Sequence, residues 1–69
     1  MIRVREMKNT DADLNTYLID AVADTKSEVV PGARYIGLPE GANIEQGSTL
    51  MTANWEVATM KSDGTWSWA

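Results

Sequence analysis

The sequence predicts a small α+β protein that is mostly β, in which one helix packs on an antiparallel meander. In several short segments apolar and polar residues alternate, as they do in strands, and turn residues separate these segments. One other segment repeats its apolar residues with helical spacing. The 69 residues allow one small domain, residues 1–69. A core of this size supplies only about 3–5 kcal/mol, so association with other molecules is an expected source of further stability.

The first predicted element is a strand in IRVRE, residues 2–6. Ile2 and Val4 point to one face while Arg3 and Arg5 point to the other, which is typical of a half-buried strand. Charged side chains discourage an edge strand from pairing with a second molecule. We therefore expect this strand to lie at an edge of the sheet.

The helix is expected in TDADLNTYLIDAVADTKSE, residues 10–28. Apolar residues recur there at i, i+3, i+4, i+7 and i+8, and Thr10 followed by Asp13 is a variant of the capping box. Leu18 should then be buried beneath the sheet. Because residues 16–22 are also rich in β-formers, a strand over TYLIDAV is the rival interpretation.

Turn residues dominate the middle of the chain. The Pro31-Gly32 pair favours a type II turn, and LPEG at 38–41 favours a type I turn with proline in second position. RYIGL at 34–38 lies between these turns and is a candidate for a short strand. Residues 38–47 are expected to form a surface loop.

The last third of the chain is predicted to be a three-stranded meander. The turn in Ser62–Gly64 should place Gly64 at positive φ, and the preceding turn should lie near Ala53-Asn54. The strands that these turns separate are STLMT at 48–52, WEVATMK at 55–61 and TWSWA at 65–69.

All three tryptophans lie in this meander, and the chain has no phenylalanine. Trp55 and Trp66 are expected in the core, because aromatic side chains pack well across a pleated sheet. Trp68 lies next to the C-terminus, where burial is hardest, and is predicted to be a contact residue. Trp66 shares a face with Trp68 in the last strand and is included in this candidate interaction site.

The charge and hydropathy of the chain disfavour two classes of partner. The net charge is −4 and the basic residues are scattered, whereas a nucleic-acid-binding protein needs clustered lysine and arginine. No segment has the length of apolar sequence that a signal peptide or a membrane span requires. We expect a soluble protein in the cytoplasm that binds neither nucleic acid nor membrane.

Most catalytic schemes lack their residues in this sequence. Without histidine or cysteine there is no Ser-His-Asp triad, no Cys-His pair and no zinc site of the usual kind. The glycines match no nucleotide-binding motif, and DAD at 11–13 lacks the glycine and glutamate of a calcium loop. We therefore expect no enzymatic activity, no catalytic residues, no cofactor and no metal.

Carboxylates are concentrated in the segment predicted as a helix. On a helix, Asp13, Asp20 and Asp24 would fall on one side. Such a face either keeps the protein soluble or docks on a basic partner, and the three aspartates complete the candidate interaction residues.

Within residues 31–68, a Gly-Ser opening at Gly47-Ser48 leads into an apolar strand, a tight turn and a second strand, followed by the turn at Ser62–Gly64 and Trp66. This pattern resembles that of small virion proteins of tailed phages and prophages. The departure lies at Ala53-Asn54, where such hairpins tend to have glycine. The resemblance implies a non-enzymatic structural or accessory protein whose partners are copies of itself, as a homo-oligomer, or a larger virion protein.

Two other functions stay open at this point. The acidic segment 11–28 would suit a small regulator that binds and inhibits a host protein. Exposed tryptophans would suit sugar binding, because flat aromatic faces stack on sugars. The expected location is the cytoplasm of a host bacterium or the virion.

Overall fold

The computed structural model describes residues 1–69 as one mixed, seven-stranded sheet. Strands hold 48% of the residues and helix 4%, and no helix reaches seven residues, so the predicted antiparallel meander with a packed helix is wrong. The molecule is mostly β, with one short 3-10 helix at Lys26–Glu28. The strands are β1 Ile2–Asp11, β2 Thr16–Ala23, β3 Tyr35–Ile36, β4 Asn43–Ile44, β5 Thr49–Thr52, β6 Val57–Met60 and β7 Trp66–Trp68.

The sheet mixes parallel and antiparallel pairs in the order β3-β1-β2-β5-β6-β7, with β4 beside β2. The hairpins β1–β2, β5–β6 and β6–β7 are antiparallel, while β3 pairs with β1 and both β4 and β5 pair with β2 in parallel. The edge strands β3 and β7 are joined by a 2.8 Å hydrogen bond from Trp66 Nε1 to the Tyr35 hydroxyl. The sheet therefore curls until its two edges meet.

A turn at residues 12–15 replaces the expected helix start. Asp11 Oδ1 accepts hydrogen bonds from the backbone N–H groups of Asp13 and Leu14, both at 3.1 Å. An aspartate that caps a helix makes the same kind of bond. Asn15, however, takes φ +51°, a left-handed conformation that reverses the chain into β2 instead of continuing a helix.

The rival interpretation of residues 16–22 as a strand is confirmed. In β2 the buried side chains alternate, with Ile19, Ala21 and Ala23 facing the core. Leu18 points to the other face and is 39% exposed, so its predicted burial is wrong. The apolar residues of this segment fit both the helical and the strand period. The segment forms a strand because β2 pairs with neighbouring strands on both sides.

The first strand has the predicted alternation over its first residues. Ile2 is buried, Val4 is half-buried, and Arg3 and Arg5 are exposed. Strand β3 covers β1 only at Ile2 and Arg3, so β1 is an edge strand over the rest of its length. A bulge at Arg5 shifts its register against β2.

The first proline turn is confirmed and the second is displaced by one residue. Gly32 has φ +82° and the Ala33 amide donates to the Val30 carbonyl at 3.0 Å, as a type II turn requires. In the second turn the amide of Ala42 donates to the carbonyl of Pro39 at 3.1 Å. Gly41, at φ +72°, is therefore third in that turn, and the predicted type I turn over 38–41 is wrong.

One serine completes the pairing along β2. Strand β4 pairs with the start of β2 and β5 with its end, which leaves Ile19 between them. Ser48 is 1% exposed, and its Oγ accepts the Ile19 N–H at 2.9 Å. This hydroxyl takes the place of a backbone carbonyl in the ladder, which gives Ser48 a structural role.

The three C-terminal strands lie where the sequence predicts them, but β6 turns its opposite face inward. Ala58 and Met60 of β6 are buried, while Val57 is 37% exposed. Alternation correctly separates the two faces of this strand. The outward face of β6 is therefore the one that carries Val57, and Trp55 before this strand does not cover the core as expected.

The core is small for the amount of apolar sequence. Only nine of the 69 residues are buried, so large hydrophobic side chains remain exposed on several parts of the surface. Five of the nine form one cluster, namely Ile2, Ile19, Ala21, Ala23 and Leu50. Trp66, Trp68, Tyr35 and Ile44 pack against this cluster from the side and are only partly buried.

Candidate functional site

An aromatic groove lies where the two edges of the curled sheet approach each other. Trp66 and Trp68 share the inner face of β7, because they are two residues apart and pair with the buried Met60 and Ala58. The groove has a volume of about 520 Å³. The other lining residues come mainly from loops, β3 and β4, namely Val29–Gly32, Tyr35, Ala42–Ile44, Met60, Gly64 and Thr65.

Tyr35 is the one titratable side chain in the groove lining. Burial raises its pKa above the usual value of 10.0, and the hydrogen bond from Trp66 lowers it by less. The hydroxyl therefore stays protonated at neutral pH and accepts the indole N–H. This bond holds the Trp66 ring in one orientation against the opposite edge of the sheet.

A lysine covers part of Trp68. The Lys26 Nζ atom lies 4.9 Å from the centre of the Trp68 ring, within the range of a cation–π contact. The 3-10 helix that carries Lys26 is held by Glu28, whose Oε2 accepts the Thr25 N–H at 2.9 Å. The groove thus has an apolar interior and one positive charge beside it.

These surroundings suit binding of an apolar or aromatic group. The lining has no carboxylate, amine or imidazole that could form an acid–base pair with Tyr35. Aromatic walls with few polar atoms favour a ligand that loses apolar surface on entry. Across the whole chain, no three acidic side chains are grouped so that they could hold a metal ion.

Trp55 forms a second feature on the surface, away from the core. It follows Ala53-Asn54 in the β5–β6 hairpin and is 81% exposed. Its φ is +65°, a left-handed conformation that bulky residues seldom adopt. Two backbone bonds close the loop, from Trp55 N to Thr52 O at 3.0 Å and from Thr52 N to Glu56 O at 2.9 Å. The predicted core position of Trp55 is wrong.

The β6–β7 hairpin has the same loop with glycine at the equivalent position. Gly64 N donates to Lys61 O at 3.1 Å, and Lys61 N donates to Thr65 O at 2.9 Å. Gly64 has φ +84°, which confirms the prediction of a positive φ there. Three-residue hairpin loops usually place glycine at this point. Trp55 therefore occupies a glycine position, and comparing the two hairpin sequences would have revealed it.

The three aspartates of the candidate interaction site do not share a helical face, because there is no helix. Asp13 lies exposed in the β1–β2 turn. Asp20 in β2 accepts a 2.9 Å hydrogen bond from Arg5. Asp24 follows β2, and its carboxylate lies 2.7 Å from the Met1 amino group. The same amino group contacts Glu28, and this contact is the main cause of the lowered pKa of Glu28. A role for these aspartates in binding stays a prediction.

Comparisons with known proteins found no match, so a proposed function has to rest on the fold and the groove. No protein-family model matches this chain, and searches of curated proteins and of solved structures also found no match. The phage and prophage resemblance therefore stays a prediction from the sequence. None of the helical residues form a segment long and apolar enough to cross a membrane.

We expect stability to fall at high pH through Tyr35. Its pKa is raised in the folded state, so the stability from the protonated hydroxyl is fully present below the unfolded pKa of about 10 and is lost as the pH rises through the folded value. Urea midpoints measured from neutral to alkaline pH should decline more steeply in the wild type than in Tyr35→Phe. Equal slopes would show that Tyr35 does not titrate differently in the folded and unfolded states.

Replacing Trp55 by glycine should stabilise the protein. A non-glycine residue in the left-handed conformation costs about 1–2 kcal/mol, which the substitution by glycine would recover. The greater conformational entropy of glycine in the unfolded chain offsets about 0.5–1 kcal/mol of this recovered stability. Trp55→Gly should therefore raise the free energy of unfolding by about 0.5–1 kcal/mol in a urea titration. Gly64→Ala is the matched control and should act in the opposite direction, because a Cβ there meets no atom within 4 Å and only the backbone is strained. A lower midpoint for Trp55→Gly would mean that the indole stabilises the monomer.

Proposed function

We propose that this protein is a non-enzymatic structural or accessory protein of a tailed phage or prophage that acts by self-assembly and contacts with other virion proteins. The observation that carries the proposal is Trp55, a large aromatic side chain that is 81% exposed at φ +65°. Strained residues cluster at functional sites, and tryptophan is enriched in protein–protein interfaces. Before assembly the protein would be in the cytoplasm of the host, and afterwards in the particle.

The small core supports an assembling protein. With nine of 69 residues buried, the monomer leaves Val30 and Trp55 more than half exposed. Association would remove such side chains from water, and each Å² of apolar surface buried would stabilise the assembly by about 25 cal/mol. Repetition around a head, connector or tail would combine many such contacts, each of them weak.

The alternative of an acidic inhibitor has less support. It depended on an acidic helical face, and the residues expected to form that face lie in a turn, a strand and the end of a strand. Asp20 and Asp24 are also engaged by positive groups of the same chain. Sugar binding would use Trp66 and Trp68, but the groove offers few polar side chains to bind sugar hydroxyls.

Light scattering after size-exclusion chromatography tests the proposal. We expect an apparent mass that rises above the 7.6 kDa of one chain as the protein concentration increases. Added salt should promote this association, because each copy carries a net charge of −4 and screening reduces the repulsion between copies. A mass of one chain at every concentration and salt level would refute self-assembly and favour the inhibitor.

A further inference from the structure

We propose that Trp55 of one copy inserts into the aromatic groove of a second copy, in a head-to-tail contact. This inference rests on the proposed self-assembly and identifies the two surfaces that would carry it. The first surface is the tip of the β5–β6 hairpin, and the second is the groove lined by Trp66, Trp68 and Tyr35. The chain thus contains both halves of the contact.

The first half of the contact is a side chain with no partner in its own molecule. Trp55 is 81% exposed, so its own groove does not hold it. The same loop in the β6–β7 hairpin has Gly64, the residue that this backbone conformation favours. A tryptophan at such a position opposes the local backbone preference and gains little burial within the monomer. Contact with another molecule supplies a physical reason for this residue.

The second half is a groove of matching chemistry. Its volume of about 520 Å³ lies within the range of about 300–1,000 Å³ found for small-molecule pockets, which is large enough for an indole ring. Its aromatic walls can pack against an incoming ring edge-to-face or offset. Tyr35 stays neutral, so no charged group inside the lining needs a charged partner.

Charges around the two surfaces are complementary. Glu56 directly follows Trp55 and is partly buried, with its Oε1 accepting a 3.1 Å hydrogen bond from the Thr52 hydroxyl of the same hairpin. Lys26 lies beside Trp68 with Nζ 4.9 Å from the ring centre. Insertion of Trp55 next to Trp68 would bring Glu56 of the entering copy towards Lys26 of the receiving copy. This attraction opposes the general repulsion between two copies that each carry a net charge of −4.

The two surfaces differ, so the contact is heterologous. The hairpin tip precedes β6, while the groove extends to Gly64 and Thr65 beyond the other end of β6. Repeating a heterologous contact produces rings or filaments. One tryptophan removes about 150–250 Å² from water, whereas a stable interface buries about 1,200–2,000 Å² in total. Each single contact should therefore be weak and depend on concentration.

A complementation experiment with two variants tests this geometry. Trp55→Gly removes the inserting side chain and keeps the groove, while Val30→Asp places a charge on the groove wall at a residue that is 53% exposed and outside the core. Each variant alone should associate about thirtyfold more weakly than the wild type, as expected for the loss of a central aromatic contact. An equimolar mixture should form a heterodimer, because one intact Trp55 and one intact groove remain. Light scattering gives the mass, and thermal melting verifies that each variant is folded.

Leu14→Ser is the matched control, because Leu14 is 63% exposed in the β1–β2 turn, outside the groove. It should assemble like the wild type. If the wild type assembles and Trp55→Gly assembles equally well, or if the mixture stays monomeric, the contact is wrong although self-assembly stands. If Val30→Asp does not fold, the comparison of association between Trp55→Gly and Leu14→Ser tests whether Trp55 makes the contact. A wild type that never assembles overturns this contact together with the proposed function.

Discussion

Leu50→Ala is expected to unfold the protein at room temperature. Leu50 is fully buried in β5, where it pairs with Ala21 on one side and Ala58 on the other. Both neighbours are alanines, so neither has a side chain that could move into the space left by the leucine. A leucine-to-alanine change in a core costs about 2–5 kcal/mol. This cost is comparable to the whole stability of at most about 3–5 kcal/mol that so small a core provides.

Met51→Ala is the control for that variant. Met51 is the next residue of β5, lies on the opposite face and is only partly buried. Its loss should cost about 1 kcal/mol or less. Circular dichroism and urea titration of both variants would compare the two faces of one strand. Equal losses would contradict the assignment of Leu50 to the centre of the core.

Ser48→Ala is expected to cost about 1–3 kcal/mol, the usual penalty for a buried hydrogen-bonding group that loses its partner. The Ser48 hydroxyl accepts the N–H of Ile19 at 2.9 Å, and both residues are buried. Alanine would leave this N–H without an acceptor at a place that water does not reach. The urea midpoint should fall, and hydrogen exchange at the Ile19 amide should become faster than at other amides of β2.

Thr49→Ala provides the comparison for Ser48→Ala. The adjacent Thr49 is exposed and its hydroxyl donates to Asp20 Oδ1 at 3.2 Å. Because water can replace this bond, the change should cost about 0.5 kcal/mol or less. If Ser48→Ala is equally mild and Ile19 exchange is unaltered, the hydroxyl does not complete the ladder.

The error in predicting a helix over residues 10–28 has a local cause. Helix caps and tight turns use the same side-chain chemistry, and Asp11 accepts the following N–H groups in a way that serves either structure. The apolar residues of β2 also fit both periods. Only the strands on both sides of β2, and the left-handed conformation of Asn15, distinguish the two outcomes.

The roles of the tryptophans needed information from distant residues. Alternation separates Trp55 and Val57 from Ala58 and Met60, but it does not say which face is inward. Ala58 faces the core because Leu50, its partner in the neighbouring strand, fills the space beside this small side chain. The expectation that an aromatic side chain packs across the sheet therefore put Trp55 inside, where the structure leaves it exposed.

The sequence by itself determined the first half of the first strand, the positions of the strands in the C-terminal third, and the positive φ of Gly64, because these depend on neighbouring residues. It also excluded chemistry that needs histidine or cysteine, since neither residue is present. The tertiary structure alone decided the parallel pairing of β2 with β5, the closure of the sheet by Trp66 and Tyr35, and the groove between its edges. These features join residues far apart in the chain, and such contacts depend on the packing of the whole sheet rather than on local preference.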